Sequence, residues 1–367
     1  MTEIIIGIDL GTTNSEVAIV QGGQVIVIGD ALGQKILPSF VGIGENNEIL
    51  VGEPARNQYV LYPERTIKSV KRKMGEDIKL EMGDQSYSPQ EVSAIILKRL
   101  KNIAEDYLKQ PVQKAVITVP AYFSDAQRQA TREAGKIAGL DVVRVINEPT
   151  AAALVYEAAQ KEHKRVLVYD LGGGTFDVSV VSIEEDVVEV VASHGNNHLG
   201  GDDFDQKLVE HILKFLSEKQ GVDIKTDRKA LARINRAAEA AKRALSDKPY
   251  VTVEEEYLTE QEGMPVNLSI ELERYEYEKM ISSYIEETLE SVHTALEDAK
   301  LIAADIDEIV LVGGSTRTPL VGQRLKEEFG LAPKSGVDPD LCVAMGAAMQ
   351  AARIAGDTVS SVLVDIT

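Results

Sequence analysis

The chain has a single cysteine and no long apolar run. Cys342 is the only cysteine among the 367 residues, which excludes an internal disulfide and fits a reducing compartment. Every apolar run is much shorter than the roughly 20 residues that cross a bilayer, so we expect no membrane span. The N-terminus enters a strand-like pattern at once and shows no signal peptide, so we expect a cytoplasmic protein.

Two common nucleotide-binding motifs are also absent. A P-loop needs Gly-Lys followed by Ser or Thr, but the only Gly-Lys pair, Gly135-Lys136, is followed by Ile137. No G-x-G-x-x-G opens a helix after a strand, which excludes the dinucleotide-binding fingerprint. A nucleotide would therefore have to be held by turns of another kind.

The charge of the chain is predominantly acidic. With 39 basic and 59 acidic residues the formal net charge is −20, which argues against nucleic acid or an anionic membrane as the main partner. It does not argue against a nucleotide, because a local nest of backbone N–H groups can hold one. A hydrophobic content of 44% with 27% charged residues is typical of a soluble globular protein, and this length should form at least two lobes.

Two glycine-rich turns, each between two strand-like runs, carry most of the functional signal. The first contains Asp9, Gly11, Thr12, Thr13 and Asn14, and the second contains Asp170, Gly172, Gly173, Gly174, Thr175 and Asp177. A tight turn with small side chains leaves N–H groups that bind an anion, and the Thr hydroxyls add donors. The three aspartates supply oxygens for a hydrated cation. Two such turns half a chain apart predict two lobes that close on a phosphate chain.

Strands and helices alternate along the chain. Besides strands at 3–10, 15–20, 165–171 and 176–183 around the two turns, the pattern predicts strands at 24–29, 39–43, 114–119, 141–146, 306–312 and 359–366, a hairpin at 250–256 and 266–272, and helices at 88–108, 124–139, from about 147, and at 203–220, 228–246, 274–300, 319–329 and 341–355. Ser88 and Ser124 mark helix starts with capping patterns. The order β-turn-β, then β-α-β-α, begins again near residue 165 and indicates a duplicated architecture.

The chain resembles the ATPase domain of the heat-shock protein 70 (DnaK-type) chaperones over its whole length. The segments that carry this resemblance are residues 8–15, 119–123, 147–153, 170–177, 198–201 and 312–317. It implies an α/β, two-lobed actin-like ATPase (ribonuclease H-like) fold, in which each lobe is a core sheet flanked by helices with an inserted subdomain. Asp202 stands where many members have Glu, a mild departure.

The resemblance also implies a division of the chain. Lobe I would span residues 1–160, with its core at 1–38 and 112–160, an insert at 39–111 and a returning helix at 336–356. Lobe II would span residues 161–335, with its core at 161–199 and 282–335 and an insert at 200–281. Residues 357–367 resemble the apolar linker to a peptide-binding domain that is missing from this sequence.

By this resemblance the cleft would hold ATP or ADP with Mg²⁺, and K⁺ is a further candidate cation. Gly11, Thr12, Thr13, Asn14, Gly172, Gly173, Gly174 and Thr175 would hold the phosphates, and Asp9, Asp170 and Asp177 would order the waters of Mg²⁺. Lys71 would stabilise charge on the γ-phosphate, and Glu148 would help to position the attacking water. Without the resemblance, Lys71 belongs to a basic run typical of a solvated face, and Glu148 before Pro149 is typical of a helix N-terminus.

Recognition of the adenosine would fall to two facing segments. Glu239, Lys242, Arg243 and Ser246 lie on one predicted helix, opposite Gly313, Gly314, Ser315, Arg317 and Asp340, and Gly200 and Gly201 complete the nucleotide-binding set. Planar guanidinium groups such as those of Arg243 and Arg317 stack on an aromatic base. Taken alone, the helix residues are typical of a charged surface. Pro120 and Arg128 match positions that relay the nucleotide state in the family.

The resemblance implies a slow, allosterically regulated ATPase with defined partners. In the full-length protein these would be unfolded peptides, a J-domain co-chaperone and a nucleotide-exchange factor, and the protein would be a monomer. Two alternatives share the superfold. A sugar kinase would need a second carboxylate base and a sugar pocket, for which no segment is found. An actin-like filament protein is disfavoured by the helical second insert and the apolar tail.

Overall fold

Two separate β-sheets form the centres of two lobes in the computed structural model of the chain. It describes residues 3–157, 163–184, 187–334 and 336–357. The strand predicted at 359–366 and the linker predicted at 357–367, except for Asp357, lie outside the described residues. Within the described ranges no helix is both long enough and apolar enough to cross a membrane.

The elements have the following bounds. The strands are β1 (Ile5–Leu10), β2 (Asn14–Gln21), β3 (Gln24–Val27), β4 (Leu37–Pro38), β5 (Phe40–Ile43), β6 (Ile49–Val51), β7 (Thr66–Lys68), β8 (Leu80–Met82), β9 (Gln85–Tyr87), β10 (Lys114–Val119), β11 (Asp141–Asn147), β12 (Lys164–Leu171), β13 (Phe176–Glu184), β14 (Val187–Asn196), β15 (Tyr250–Gln261), β16 (Met264–Glu273) and β17 (Glu308–Val312). The helices are α1 (Glu53–Tyr59), α2 (Pro89–Leu108), α3 (Asp125–Ile137), α4 (Glu148–Glu157), α5 (Gly201–Phe215), α6 (Arg228–Asp247), α7 (Arg274–Asp298), α8 (Pro319–Phe329) and α9 (Cys342–Ala355).

The two central sheets repeat one arrangement, as the sequence predicted. In the first, with the order β11-β10-β1-β2-β3, the hairpin β1–β2 is antiparallel and β1 runs parallel to β10. In the second, with the order β14-β13-β12-β17, the hairpin β12–β13 is antiparallel and β12 runs parallel to β17. Each glycine-rich turn is therefore the connection of the hairpin at the centre of a lobe.

Small β-structures and helices are inserted into each half. A three-stranded sheet (β6-β5-β7) and the hairpin β8–β9 lie between β4 and α2 in the chain, and the long hairpin β15–β16 follows α5 and α6. The predicted hairpin turn at Glu262-Gly263 is confirmed, although both strands are longer than predicted. The helix predicted at 203–220 begins at Gly201 and ends in a π-helical turn, Leu216–Gln220.

Local capping chemistry sets two helix starts. The Ser88 side chain accepts a hydrogen bond from the Glu91 N–H, and the Glu91 carboxylate accepts one from the Ser88 N–H, so the predicted capping box is present. Ser124 and Gln127 form the same reciprocal pair at the start of α3. Each box satisfies two backbone donors that a helix N-terminus leaves unpaired.

Helices α4 and α9 lie in layers between the two central sheets. Helix α9 packs against β1 and β2, α4 packs against β12 and β14, and the two helices pack against each other. A side chain at Gly346 would clash with the Ala151 carbonyl group, so only glycine permits this contact. The small residues of α9 thus allow close backbone packing, as predicted from its alanine-rich sequence.

Candidate functional site

The two glycine-rich turns meet in one cavity between the lobes. The Gly172 N–H donates to the Thr175 carbonyl at 3.0 Å and closes the second turn. A β-carbon at Gly173 would lie 2.5 Å from Thr13 Oγ1, so the backbone of the second turn directly approaches a side chain of the first. The predicted approach of the two glycine-rich turns is therefore present in the fold.

Most of the predicted site residues line this cavity. They are Asp9, Gly11, Thr12, Thr13, Asn14, Lys71, Glu148, Asp170, Gly172, Gly173, Thr175, Gly313, Gly314 and Asp340. Glu16, Pro120, Val312, Pro339 and Val343 complete the lining. The remaining predicted residues do not line it: Gly174, Asp177, Gly200, Gly201, Glu239, Lys242, Arg243, Ser246, Ser315 and Arg317.

Lys71 is the buried cation of the cavity. It lies on a 3₁₀ turn, Val70–Lys73, which follows Ser69 with its left-handed φ of 54°. Lys71 is only 6% exposed. Its ammonium forms an ion pair with Glu148, which is 8% exposed at the start of α4. Burial lowers the pKa of Lys71, but Glu148 and Asp9 outweigh it and raise the pKa, so the ammonium stays charged. A solvated basic face is therefore the wrong interpretation of Lys71.

Three partly buried aspartates lie near this pair. Asp9 accepts a hydrogen bond from Thr118 Oγ1 at 2.7 Å, and Asp170 lies opposite Asp177 in the β12–β13 register. Burial raises the pKa of Asp9 and, together with Glu148, raises that of Asp170 well above its usual range. The pKa of Asp177 rises to about 8, mainly through burial and then through Glu148. So many acids around one lysine leave the cavity short of positive charge.

The donor set fits a hydrated magnesium ion. The Oδ1 atom of Asp177 is buried and has no hydrogen-bond partner. Such an atom costs free energy unless a ligand satisfies it. The described Asp, Glu, His and Cys residues form no group of three or more that could coordinate a metal directly. Mg²⁺ keeps several waters and takes phosphate oxygens as ligands, so carboxylates that reach it through water are compatible with this arrangement.

Three predicted binding residues support the second turn from behind. The Gly201 N–H donates to the Gly172 carbonyl at 2.9 Å, and Ser315 Oγ donates to the same carbonyl at 2.9 Å. A β-carbon at Gly200 would lie 2.6 Å from the Gly173 carbonyl group, so this segment packs directly on the turn. These residues therefore orient the turn that faces the cavity.

The predicted adenosine residues of α6 make contacts with each other and with both lobes. Lys242 pairs with Asp205 at 2.8 Å and donates to the Gly201 carbonyl at 3.0 Å. Glu239 accepts from Arg243 at 2.6 Å and also pairs with Arg56. Ser246 Oγ donates within the helix, to the Lys242 carbonyl at 3.5 Å. Helix α6 therefore lies at the cleft, with its charged residues already engaged.

Arg317, on the facing segment, is held by acids of the loop before α9. Its guanidinium pairs with Asp338 and, at 3.2 Å, with Asp340. Its side chain remains 47% exposed and that of Arg243 is 66% exposed. Both planar groups are thus partly exposed, and Arg317 is joined to the cavity through Asp340.

Sequence reasoning missed three charged residues of the cleft. Glu16 lines the cavity, and its signal was a glutamate inside the apolar run of β2. Arg72 donates to the Gly174 carbonyl and Arg56 pairs with Glu239, so both arginines join the first insert to the second lobe. No local pattern indicates such long-range partners.

Arg128, matched to a relay position, connects two segments near the cavity. It donates to the Ala121 carbonyl at 3.0 Å and to Asn147 Oδ1 at 2.8 Å. Asn147 immediately precedes Glu148, and Pro120, just before Ala121, lines the cavity. Arg128 therefore links the residue after Pro120 to the residue before Glu148.

Together these features define a two-lobed α/β protein whose cleft is lined by two glycine-rich turns and several acids, and comparison with known proteins specifies its family. The family model described as "Hsp70 protein" matches residues 5–82 and 76–367. The chain is 53% identical over 373 residues to "Chaperone protein DnaK" of Thermotoga petrophila and of Thermotoga maritima. It is 52% identical over 371 residues to the protein of that name from Thermosipho africanus. The chain belongs to the Hsp70 family.

These alignments cover the relatives only in part. Each spans 100% of this chain and 62% of the DnaK protein that it matches. The two-lobed actin-like ATPase fold expected from the resemblance is confirmed by the family match and by the paired sheets.

Proposed function

We propose that the chain binds Mg·ATP between its lobes and hydrolyses it slowly, under allosteric control, as the nucleotide-binding part of a chaperone. The observation that carries the proposal is the buried Lys71–Glu148 pair in a cavity that both glycine-rich turns, Asp9 and Asp170 also line. A buried cation beside a turn of free N–H groups suits a γ-phosphate, whose charge spreads over its oxygens during transfer.

Each part of the cavity has a role in this proposal. The backbone N–H groups of residues 11–14 and 172–175 hold the phosphates, with the hydroxyls of Thr12, Thr13 and Thr175 as further donors. Magnesium, when bound, neutralises charge on the phosphate oxygens. Asp9, Asp170 and Asp177 hold its waters. Glu148 orients the attacking water, and Lys71 stabilises the charge that develops on the transferred group.

In this proposal, the adenosine lies at the mouth of the cleft. Arg243 and Arg317 stack on the base, because both guanidinium groups are exposed there. Glu239, Lys242 and Ser246 contact the rest of the nucleoside from α6. A potassium ion beside the phosphates is a further candidate ligand of the acidic cavity.

We further propose that the nucleotide state controls a distant peptide-binding site through the segment that follows α9. Such control is a reciprocal coupling between two sites. The partners would be unfolded peptides, a J-domain co-chaperone and a nucleotide-exchange factor. The protein would be a cytoplasmic monomer. Its first lobe would end at residue 160 and its second at residue 335. Two contacts support this part of the proposal: Arg128 donates to Asn147, next to Glu148, and Pro120 lines the cavity.

The first test replaces Lys71 by alanine and measures ATP turnover and ATP binding separately. We expect turnover to be lost and binding to be retained, because many backbone donors hold the phosphates, whereas Lys71 is the one basic side chain among the described residues that line the cavity. Lys73→Ala is the matched control, since this lysine lies in the same turn with its side chain 50% exposed.

Thermal unfolding with and without Mg·ATP tests binding directly. Nucleotide at a thousand times its Kd should stabilise the protein by about 4 kcal/mol. No stabilisation by nucleotide, or ADP release that depends on an added sugar, would contradict the proposed function. Unchanged turnover in Lys71→Ala would remove its catalytic role only.

A further inference from the structure

An acidic side chain that the proposed reaction does not use lies in the wall of the cavity. Glu16 on β2 is directly opposite Asp9 on β1 in the antiparallel register, so both side chains lie on one face of the hairpin. Both line the cavity. Glu16 is only 2% exposed. Its carboxyl group forms no hydrogen bond or ion pair within the described residues, and its oxygens are not among the fully buried atoms, since the side chain faces the cavity.

Packing does not require an acid at this position. The next β2 residue on the same face, Ala18, packs with Ala344 and Ala348 of α9 in a small apolar cluster. A carboxyl group that is largely removed from water and has no partner is costly, whereas an apolar side chain of the same size is not. The cost of burying Glu16 therefore points to a ligand that satisfies its carboxyl group.

The charges around Glu16 indicate the sign of that ligand. Acids lining the cavity are Asp9, Glu16, Glu148, Asp170 and Asp340, and the one basic side chain among the described lining residues is Lys71. Lys71 is already paired with Glu148. Burial, then Asp9 and Asp340, raise the pKa of Glu16 well above its usual range. A cation beside Glu16 would relieve this excess of negative charge.

We propose that Glu16 couples nucleotide binding to the divalent cation, by accepting a hydrogen bond from a water of the hydrated ion that accompanies the phosphates. This inference rests on the proposed function and adds a residue to its cation site. Contact through water suits an ion that keeps much of its hydration shell. It also suits the finding that the described acids form no direct coordination group.

The test compares ADP affinity in magnesium with ADP affinity in EDTA, using the whole chain. The ratio of the two affinities measures the coupling between nucleotide and cation. In Glu16→Gln and Glu16→Ala we expect this ratio to fall by about tenfold, the size of one charge-assisted hydrogen bond. Glu16→Asp should retain most of the ratio because it keeps the carboxylate.

Glu189→Gln is the control, since it removes one negative charge from an exposed position of β14 outside the cavity. Its affinity ratio should equal that of the unaltered protein. The ligand-free Glu16→Gln and Glu16→Ala proteins should be at least as heat-stable as the unaltered protein, because an unpartnered buried acid is lost.

Two results would overturn the role of Glu16. One is an unchanged affinity ratio in both neutral variants, and the other is an equal loss of affinity in magnesium and in EDTA, which indicates packing alone. If the glutamine variant does not fold, the alanine variant decides. Failure of the unaltered protein to bind ADP in either condition would instead contradict the proposed function.

Discussion

Asp177 connects the charge of the cleft to the stability of the whole protein. Its carboxyl group is buried opposite Asp170, and one of its oxygens has no partner. Burial and Glu148 raise its pKa from 3.8 to about 8. An acid with a raised folded-state pKa favours the folded state while it is protonated. Its ionisation penalty grows as pH rises from the unfolded-state pKa toward the folded-state value.

The ligand-free protein should therefore become less stable as pH rises from about 4 to about 8, as far as this residue contributes. Asp177→Asn should flatten that part of the pH dependence, because asparagine does not ionise. Urea unfolding midpoints at several pH values in EDTA measure the effect. Asp247→Asn, at the end of α6, is a control away from the lining of the cavity. Identical pH profiles for the unaltered protein and Asp177→Asn would contradict the expectation.

At the scale of single elements, structure that depends on residues close in the sequence was predicted correctly, whereas structure that depends on distant residues was not. The capping boxes at Ser88 and Ser124 follow from residues three apart, and the structure contains both. Strand β14 was missed, because its half-buried alternation depends on pairing with β13. The burial of Lys71 could not follow from its basic neighbours, since its partner Glu148 is 77 residues away.

The contact between α4 and α9 gives a prediction at this scale. Gly346→Ala should destabilise the protein by about 2 kcal/mol, because its methyl group would overlap the Ala151 carbonyl in a layer with no free space. Chemical denaturation measures the change.

Gly322→Ala on α8 is the matched helical control, since a β-carbon there meets nothing within 4 Å. Alanine should stabilise that helix by up to about 1 kcal/mol. Equal effects of the two substitutions would show that the α4–α9 contact is not tight.

For the whole molecule, side chains of the first insert hold the second lobe across the cleft. Arg56 pairs with Glu239 on α6, with side chains only 30% and 23% exposed, and Arg72 donates to the Gly174 carbonyl in the second turn. These contacts join segments far apart in the sequence, so composition and periodicity could not predict them. The turn residues that line the cavity could be predicted because each turn is a local motif, whereas Lys71, Glu148 and Asp340 were expected only from the family resemblance.

The Arg56 pair should slow the release of nucleotide. Arg56→Ala should speed release of a fluorescent ADP up to about fivefold, since a partly exposed ion pair contributes up to about 1 kcal/mol. Stopped-flow displacement at several salt concentrations measures the release rate. The difference in rate between Arg56→Ala and the unaltered protein should shrink as salt rises, because salt screens the ion pair.

Arg233→Ala is the control, because Arg233 pairs with Glu255 within the second insert. It should leave the release rate unchanged. A rate in Arg56→Ala equal to that of the unaltered protein at low salt would show that this contact does not restrain opening.

The layer formed by α4 and α9 has a mechanical consequence. Valines of β12 and β17 share one hydrophobic cluster with residues of α4, α9 and β1, so the bases of the lobes cannot separate without exposing it to water. At Gly346 the backbone of α9 lies directly against the Ala151 carbonyl of α4, so there is no space between the helices for a larger side chain. Because α4 begins with Glu148, any displacement of α4 against α9 would also displace this carboxylate in the cavity.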